Sequence, residues 1–167
     1  MLSKKINTLL NKQIELEAKS SNAYLSMASW AEVQGWNGVS VFLYKHSDEE
    51  RMHMLKLFHF VNERGGQAVV PEIKGLKSSY SSITELFEEV LEHEVNVTNE
   101  INALVDACLA EKDYTTHNFL QWYVAEQIEE ERLIRNILDK LKLIGEEKSG
   151  LYMFDRDMSQ MSNQAHG

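Results

Sequence analysis

The chain has one cysteine, Cys108, one proline, Pro71, and eight glycines in 167 residues. A lone cysteine excludes an internal disulfide and suits a reducing compartment; its position on an apolar stripe makes Cys108 a small core residue. Scarce proline and glycine leave long stretches without helix breakers. Periodic segments of more than about 25 residues then point to an all-α protein with no strand signal. Basic residues are in the minority, 17 Lys and Arg against 26 Asp and Glu, for a formal charge of -9. This balance lacks the basic stripe or arm of a nucleic-acid-binding surface, whereas an acidic surface suits cations. No apolar run is long enough to cross a membrane. The segment Met1 to Ile6 leads into an amphipathic pattern instead of a signal-peptide apolar core. The expectation is a cytoplasmic protein of one domain over residues 1–167, without nucleic-acid or membrane partners. Its 43% hydrophobic content supplies one buried core.

The remaining pattern is helical. A first helix runs from about Ser3 to Glu32, with Ile6, Leu10, Gln13, Ile14, Glu17, Tyr24, Met27 and Ala31 on its inward face. A break at Gln34 to Gly38, with Asn37 as the expected N-cap, turns the chain back into a second helix that stops at Gly65 and Gly66. Its stripe reads Val39, Phe42, Leu43, His46, Glu50, His53, Leu57, Phe60. Residues 65–81 have no helical period and hold Pro71, Gly75 and a run of serines. About 17 residues can span roughly 55 Å when extended, and a helix of about 27 residues is roughly 40 Å long. The segment can therefore carry the chain from one end of a bundle to the other, making helices two and three parallel. Ser82 to Glu85 is a capping-box sequence opening the third helix, whose stripe is Ile83, Phe87, Val90, Glu94, Val97, Ile101, Leu104, Cys108. After a tight turn at Lys112, Asp113 is the expected cap of a fourth helix with Thr116, Phe119, Leu120, Tyr123, Gln127, Glu130, Ile134, Ile137 and Leu141 inward. Gly145 ends it. The predicted architecture is an all-α four-helix bundle over about 3–145 with one long crossover, a short fifth helix over about 147–158 and a polar tail, 159–167.

Each long stripe is interrupted by polar residues at mid-height: Glu17, then Glu50 with His53, then Glu94, then Gln127 with Glu130. An ionised carboxylate in an apolar interior costs many kcal/mol unless it is paired or coordinates a metal. A single interruption could be a buried ion pair. Four carboxylates, one imidazole and one amide with no inward Lys or Arg require cations to supply the missing charge. Oxygen-rich ligation with one imidazole suits hard or borderline divalent ions such as Fe(II), Mn(II) and Zn(II), and four carboxylates are enough for two metals bridged by one of them.

Glu17 with Tyr24, the run Glu49, Glu50, Arg51, Met52, His53, the pair His93 and Glu94, and the run Phe119 to Glu131 together resemble the bacterial non-haem ferritin family. The resemblance extends from Met1 to about Asp157 and implies a ferritin-like bundle whose di-iron centre oxidises Fe(II) with O2 or H2O2. It further implies ferric mineral stored inside a homo-oligomeric shell of about 24 subunits. By this resemblance Glu17, Glu50 and His53 hold one iron; Glu50, Glu94 and Glu130 hold the other, with Gln127 lining that second site. Glu49, Glu126 and Glu129 match a third iron site, and Tyr24 stands beside the centre. Spacing alone reads the stretch Glu126 to Glu131 as a solvated acidic face, and assigns no role to Trp122 or Ile128.

Departures from related families sharpen the reading. Bacterioferritins and rubrerythrin-like enzymes carry a second Glu-x-x-His on the fourth helix, where this chain has Gln127 and Glu130. The second metal thus has no imidazole, which suits exchangeable iron. Haem is not expected, because Arg51 stands where the bacterioferritin haem methionine directly follows the second-helix Glu. His117 and Leu120 replace the acidic channel residues of animal ferritins. Three other readings use the same residues: a di-iron enzyme acting on another substrate such as peroxide, a helical interaction protein with paired acids, and a mini-ferritin that protects DNA. The fifth segment, the intrabundle ligands and the lack of a basic arm disfavour the last.

Overall fold

A computed structural model describes residues 1–164. Through them run five α-helices: α1 (Lys4–Val33), α2 (Asn37–Glu63), α3 (Ile83–Glu111), α4 (Tyr114–Ile144) and α5 (Lys148–Gln164). The long elements start and stop for local reasons. Ser3 caps α1 by accepting from the Ile6 N–H at 3.1 Å. Ser82 caps α3 by accepting from the Glu85 N–H at 3.0 Å. The Glu85 carboxylate reaches back one residue further than a capping box requires, to the Ser81 N–H at 2.6 Å. Lys112 takes a left-handed conformation, φ 58°, to close α3. Asp113 then caps α4, accepting from the Thr116 N–H at 3.0 Å.

The start of α2 differs from the sequence expectation. Asn37 is the first helical residue, and the cap position falls on Trp36, which makes no side-chain capping bond. A carboxylate from elsewhere substitutes: Asp155 on α5 accepts from the Val39 N–H at 2.9 Å. Gly38 lets the two helices approach this closely, since a Cβ there would collide with the Asp155 carbonyl oxygen. The fifth helix is also longer than predicted, reaching Gln164 instead of 158. Met158 is fully buried and Met161 packs against the same apolar cluster, so the apolar row continues through letters that read as a polar tail. Residues 165–167 of the predicted tail lie outside the described residues.

Helix directions follow from cross-helix contacts. Leu2 meets Arg64 while Ser21 meets Ser47, so α1 and α2 are antiparallel. Tyr24 reaches Glu94 while Lys12 reaches Glu100, so α1 and α3 are antiparallel as well, and α2 and α3 run parallel as the crossover length predicted. The crossover is tied along α1 on its way. Val69 N–H donates to Asn11 Oδ1 at 2.8 Å, and further along Ser26 Oγ donates to the Lys77 carbonyl at 2.7 Å.

The interior has two apolar clusters. One, containing Met27, Leu43, Phe87, Ile137 and Phe154, lies at the end covered by α5. The other, containing Ile6, Leu10, Leu57, Leu104 and Leu120, lies at the opposite end. The polar interruptions of all four stripes fall between them.

Candidate metal centre

Glu17, Glu50, His53, Glu94, Gln127 and Glu130 are all buried, as their places on the stripes require. Helical spacing does the positioning: Glu50 and His53 are three apart on α2, and Gln127 and Glu130 three apart on α4, so each pair shares a face. Glu17, Glu50 and His53 bring one ligand atom each within 4.8 Å of one another. His53 Nδ1 stands 3.5 Å from Glu50 Oε2 and 3.9 Å from Glu17 Oε2. Neighbouring groups orient the carboxylates. Gln13 Nε2 donates to Glu17 Oε1 at 2.7 Å, and Tyr24 Oη donates to Glu94 Oε1 at 2.5 Å. Gln127 Nε2 donates to Glu94 Oε2 at 3.1 Å. Tyr123 Oη donates to the His53 carbonyl at 2.7 Å, fixing the helix behind the imidazole.

Electrostatics show how tightly the carboxylates are crowded. Burial pushes Glu17 well above the usual carboxylate range, and the Glu50 charge pushes it further. Burial and then the Glu94 charge do the same to Glu50. Burial, with Glu130 alongside, lifts Glu94 to about 7. The Tyr24 phenol is raised by burial and by the adjacent Glu94. Glu17 Oε2 is 1% exposed with its residue and has no hydrogen-bond donor. Among the described residues no Lys or Arg is buried. Even if both buried imidazoles of this layer were protonated, four carboxylates would outnumber them. An N- and O-rich set with such a charge deficit can hold divalent cations.

Glu49, Glu126 and Glu129 are the residues matched to a third site. Glu49 is half-buried and joins a second group at ligand distance, with His46 and Glu130. Glu126, half-buried, and Glu129, exposed, stand on α4 outside both groups. His46 is the residue that motif reasoning passed over: it was on the inward stripe, four residues before Glu50, and read as part of the core. Trp122, given no role from sequence, packs edge-on against the His53 ring at 5.1 Å, with Lys56 Nζ 4.4 Å from its ring centre.

The ferritin family pattern, described as the ferritin-like domain, matches residues 7–144. The chain belongs to the ferritin-like family. It is 47% identical over 165 residues to a probable bacterial non-heme ferritin-like protein of Haemophilus influenzae, covering 99% of this chain and all of that one. It is 46% identical over 156 residues to a bacterial non-heme ferritin of Campylobacter jejuni, covering 93% of each. Among solved structures, an open-pore ferritin from the hyperthermophilic archaeon Archaeoglobus fulgidus superposes with a TM-score of 0.93 at 45% identity, covering 95% of this chain and 98% of that one. The four-helix bundle with a fifth helix is thus the ferritin fold, and the mid-height carboxylate layer lies inside the matched segment.

Proposed function

We propose that this ferritin-like protein stores iron and is a ferroxidase. The observation that carries the reading is the buried layer itself: four inward carboxylates, one of them with an oxygen that lacks any donor, and no buried Lys or Arg among the described residues. Such a layer is suited to divalent cargo.

Two Fe(II) ions are the substrates. Glu17, Glu50 and His53 take one, and Glu50, Glu94 and Glu130 take the other, so Glu50 is shared between them. Gln127 and Tyr24 hold Glu94 in place through its two oxygens. Each Fe(II) gives up one electron. O2 accepts both with two protons and leaves as H2O2, or H2O2 accepts both and leaves as two hydroxides. Carboxylate ligands interact more strongly with Fe(III) than with Fe(II), which lowers the potential and drives the oxidation. The second site draws only oxygen ligands, from α2, α3 and α4, which favours release of the ferric product toward a mineral. Storage needs an enclosure, and membership of the ferritin-like family supports a hollow homo-oligomeric shell, of about 24 subunits by the resemblance. The protein acts in the cytoplasm, with no haem.

Aerobic loading with Fe(II), read as iron retained per subunit on a gel-filtration peak that also reports assembly size, tests the reading. Tens of irons per subunit in a very large particle is the expected result. Two per subunit in a small oligomer would make the protein a di-iron enzyme instead, and no retained iron would overturn the metal reading altogether.

A further inference from the structure

We infer that Thr98 is a positioning residue for the second metal: anchored by Glu131 and Arg135, it holds the Gln127 amide against Glu94 and so fixes that carboxylate for metal binding. The inference deepens the ferroxidase reading and rests on it for the role of Glu94 as a ligand.

The hydrogen bonds run from α4 to α3 and back. Gln127 is buried, and its Nε2 faces three acceptors on α3: the Glu94 carbonyl at 3.2 Å, Glu94 Oε2 at 3.1 Å and Thr98 Oγ1 at 3.3 Å. A backbone carbonyl can only accept, so the amide turns its nitrogen, and not its oxygen, toward α3. Thr98 can accept from it because its own hydrogen is engaged elsewhere: Oγ1 donates to Glu131 Oε1 at 2.7 Å. A helical threonine often gives that hydrogen to the carbonyl four residues back. Here it goes to Glu131, and a lone pair of the Glu94 carbonyl is left for Gln127. Glu131 is held in turn, its Oε2 accepting from both Nη1 and Nη2 of Arg135 at 2.8 Å, one turn along α4.

Packing alone does not fix the amide. Thr98, Gln127, Glu131 and Arg135 line a cavity of about 270 Å3 between α3 and α4, so on that side hydrogen bonds must keep Gln127 in place. Removing the Thr98 hydroxyl strands one amide hydrogen and lets the side chain swing toward the cavity. Glu94 Oε2 then loses its donor, while Tyr24 still holds Oε1. A carboxylate free to turn about one oxygen binds a metal less firmly, because it must be ordered on binding. Glu17, Glu50 and His53 take no bond from this chain of contacts, so the first site is spared.

Zinc alone is the probe. Metal-free assembled protein and its Thr98→Val variant, in which a methyl replaces the hydroxyl, are titrated with Zn(II) by calorimetry. Crystals of both, soaked at limiting Zn(II), are measured at the zinc edge, and the occupancy at the Glu94–Glu130 position is divided by that at the Glu17–His53 position in the same crystal. We expect the second zinc to weaken about ten-fold in Thr98→Val, with a lowered occupancy ratio and an unchanged first zinc. Thr98→Ser should restore the wild-type ratio. Thr98→Val combined with Glu131→Ala should bind no more weakly than either alone, since both changes cut the same chain of bonds. An unchanged ratio in Thr98→Val would overturn the inference while the ferroxidase reading stands. So would equal weakening of both sites, which is general loosening of the bundle, or losses that add in the double variant. No zinc at either position in the wild type would overturn both. If Thr98→Val does not assemble, Glu131→Ala, which removes the same bond from the α4 end, decides on the same ratio.

Discussion

Replacing Glu17 with Gln should make the metal-free protein more stable while removing its response to metal. In the wild type, Glu17 Oε1 accepts from Gln13 but Oε2 is buried with no donor, next to Glu50. The amide of Gln keeps the acceptor for Gln13 and offers its NH2 to Glu50, so an unsatisfied acceptor becomes a satisfied donor and one buried charge disappears. An unsatisfied buried polar group costs about 1–3 kcal/mol. For a chain of this size each kcal/mol moves the melting temperature by about 2–4 °C, so a gain of about 2 kcal/mol raises it by about 4–8 °C. The gain depends on pH in a set direction. Glu17 binds its proton more tightly folded than unfolded, so its contribution to stability is full below the ordinary carboxylate value of 4.5 and is lost as the pH rises through the folded value. Variant and wild type should therefore converge as the pH is lowered from about 8 toward about 5, where both side chains are neutral. Zinc reverses the order: at about 100 times its Kd an ion adds about 2.7 kcal/mol per site to the protein that binds it, and the variant gives up that gain at the first site. The assay is thermal melting at fixed protein concentration, with chelator and then with Zn(II), across that pH range. A metal-free Glu17→Gln protein that melts below wild type at about pH 8 would refute the argument that this carboxylate is held at a cost.

Two further outcomes are expected. Gly38→Ala places a Cβ against the Asp155 carbonyl, backbone that cannot swing away, so it should cost about 1–3 kcal/mol and expose α5 to protease; unchanged cleavage in limited proteolysis would show that the contact is not needed. Because Glu94 keeps its proton up to about 7, Zn(II) binding near pH 6.5 should release protons. Binding heats that do not vary with buffer ionisation enthalpy would contradict the assignment of Glu94 as a ligand.

Much of this was legible in the letters because it depends on spacing alone. A carboxylate at a stripe position is inward whatever the neighbouring helix does, so Glu17, Glu50, Glu94 and Glu130 could be found one helix at a time. The crossover was legible because chain length limits which bundle ends residues 65–81 can join. What escaped depends on contacts between distant segments. The cap of α2 comes from Asp155, 116 residues along from Val39, so local rules assigned it to Asn37. The far half of α5 escaped because Ser159 and Gln160 dilute the apolar row that Met158 and Met161 carry. His46 escaped because a histidine among Phe42, Leu43 and Leu57 reads as one more ring in the core. Only its Nδ1 bond to Phe42 and the approach of Glu49 and Glu130 show the other nitrogen aimed at carboxylates. Glu126 and Glu129 are ambiguous by spacing, since a run of glutamates is equally the signature of a wetted helix face.

The two apolar clusters on either side of the carboxylate layer have a consequence for how the protein can be used. In a zinc finger the ion is the core, and losing it means losing the fold. Here each end of the bundle is sealed by its own set of buried side chains, with the carboxylate layer held between them. Emptying that layer would leave both seals in place, so under the proposed function one subunit could pass iron repeatedly without being remade, its working life set by its packing and not by its cargo.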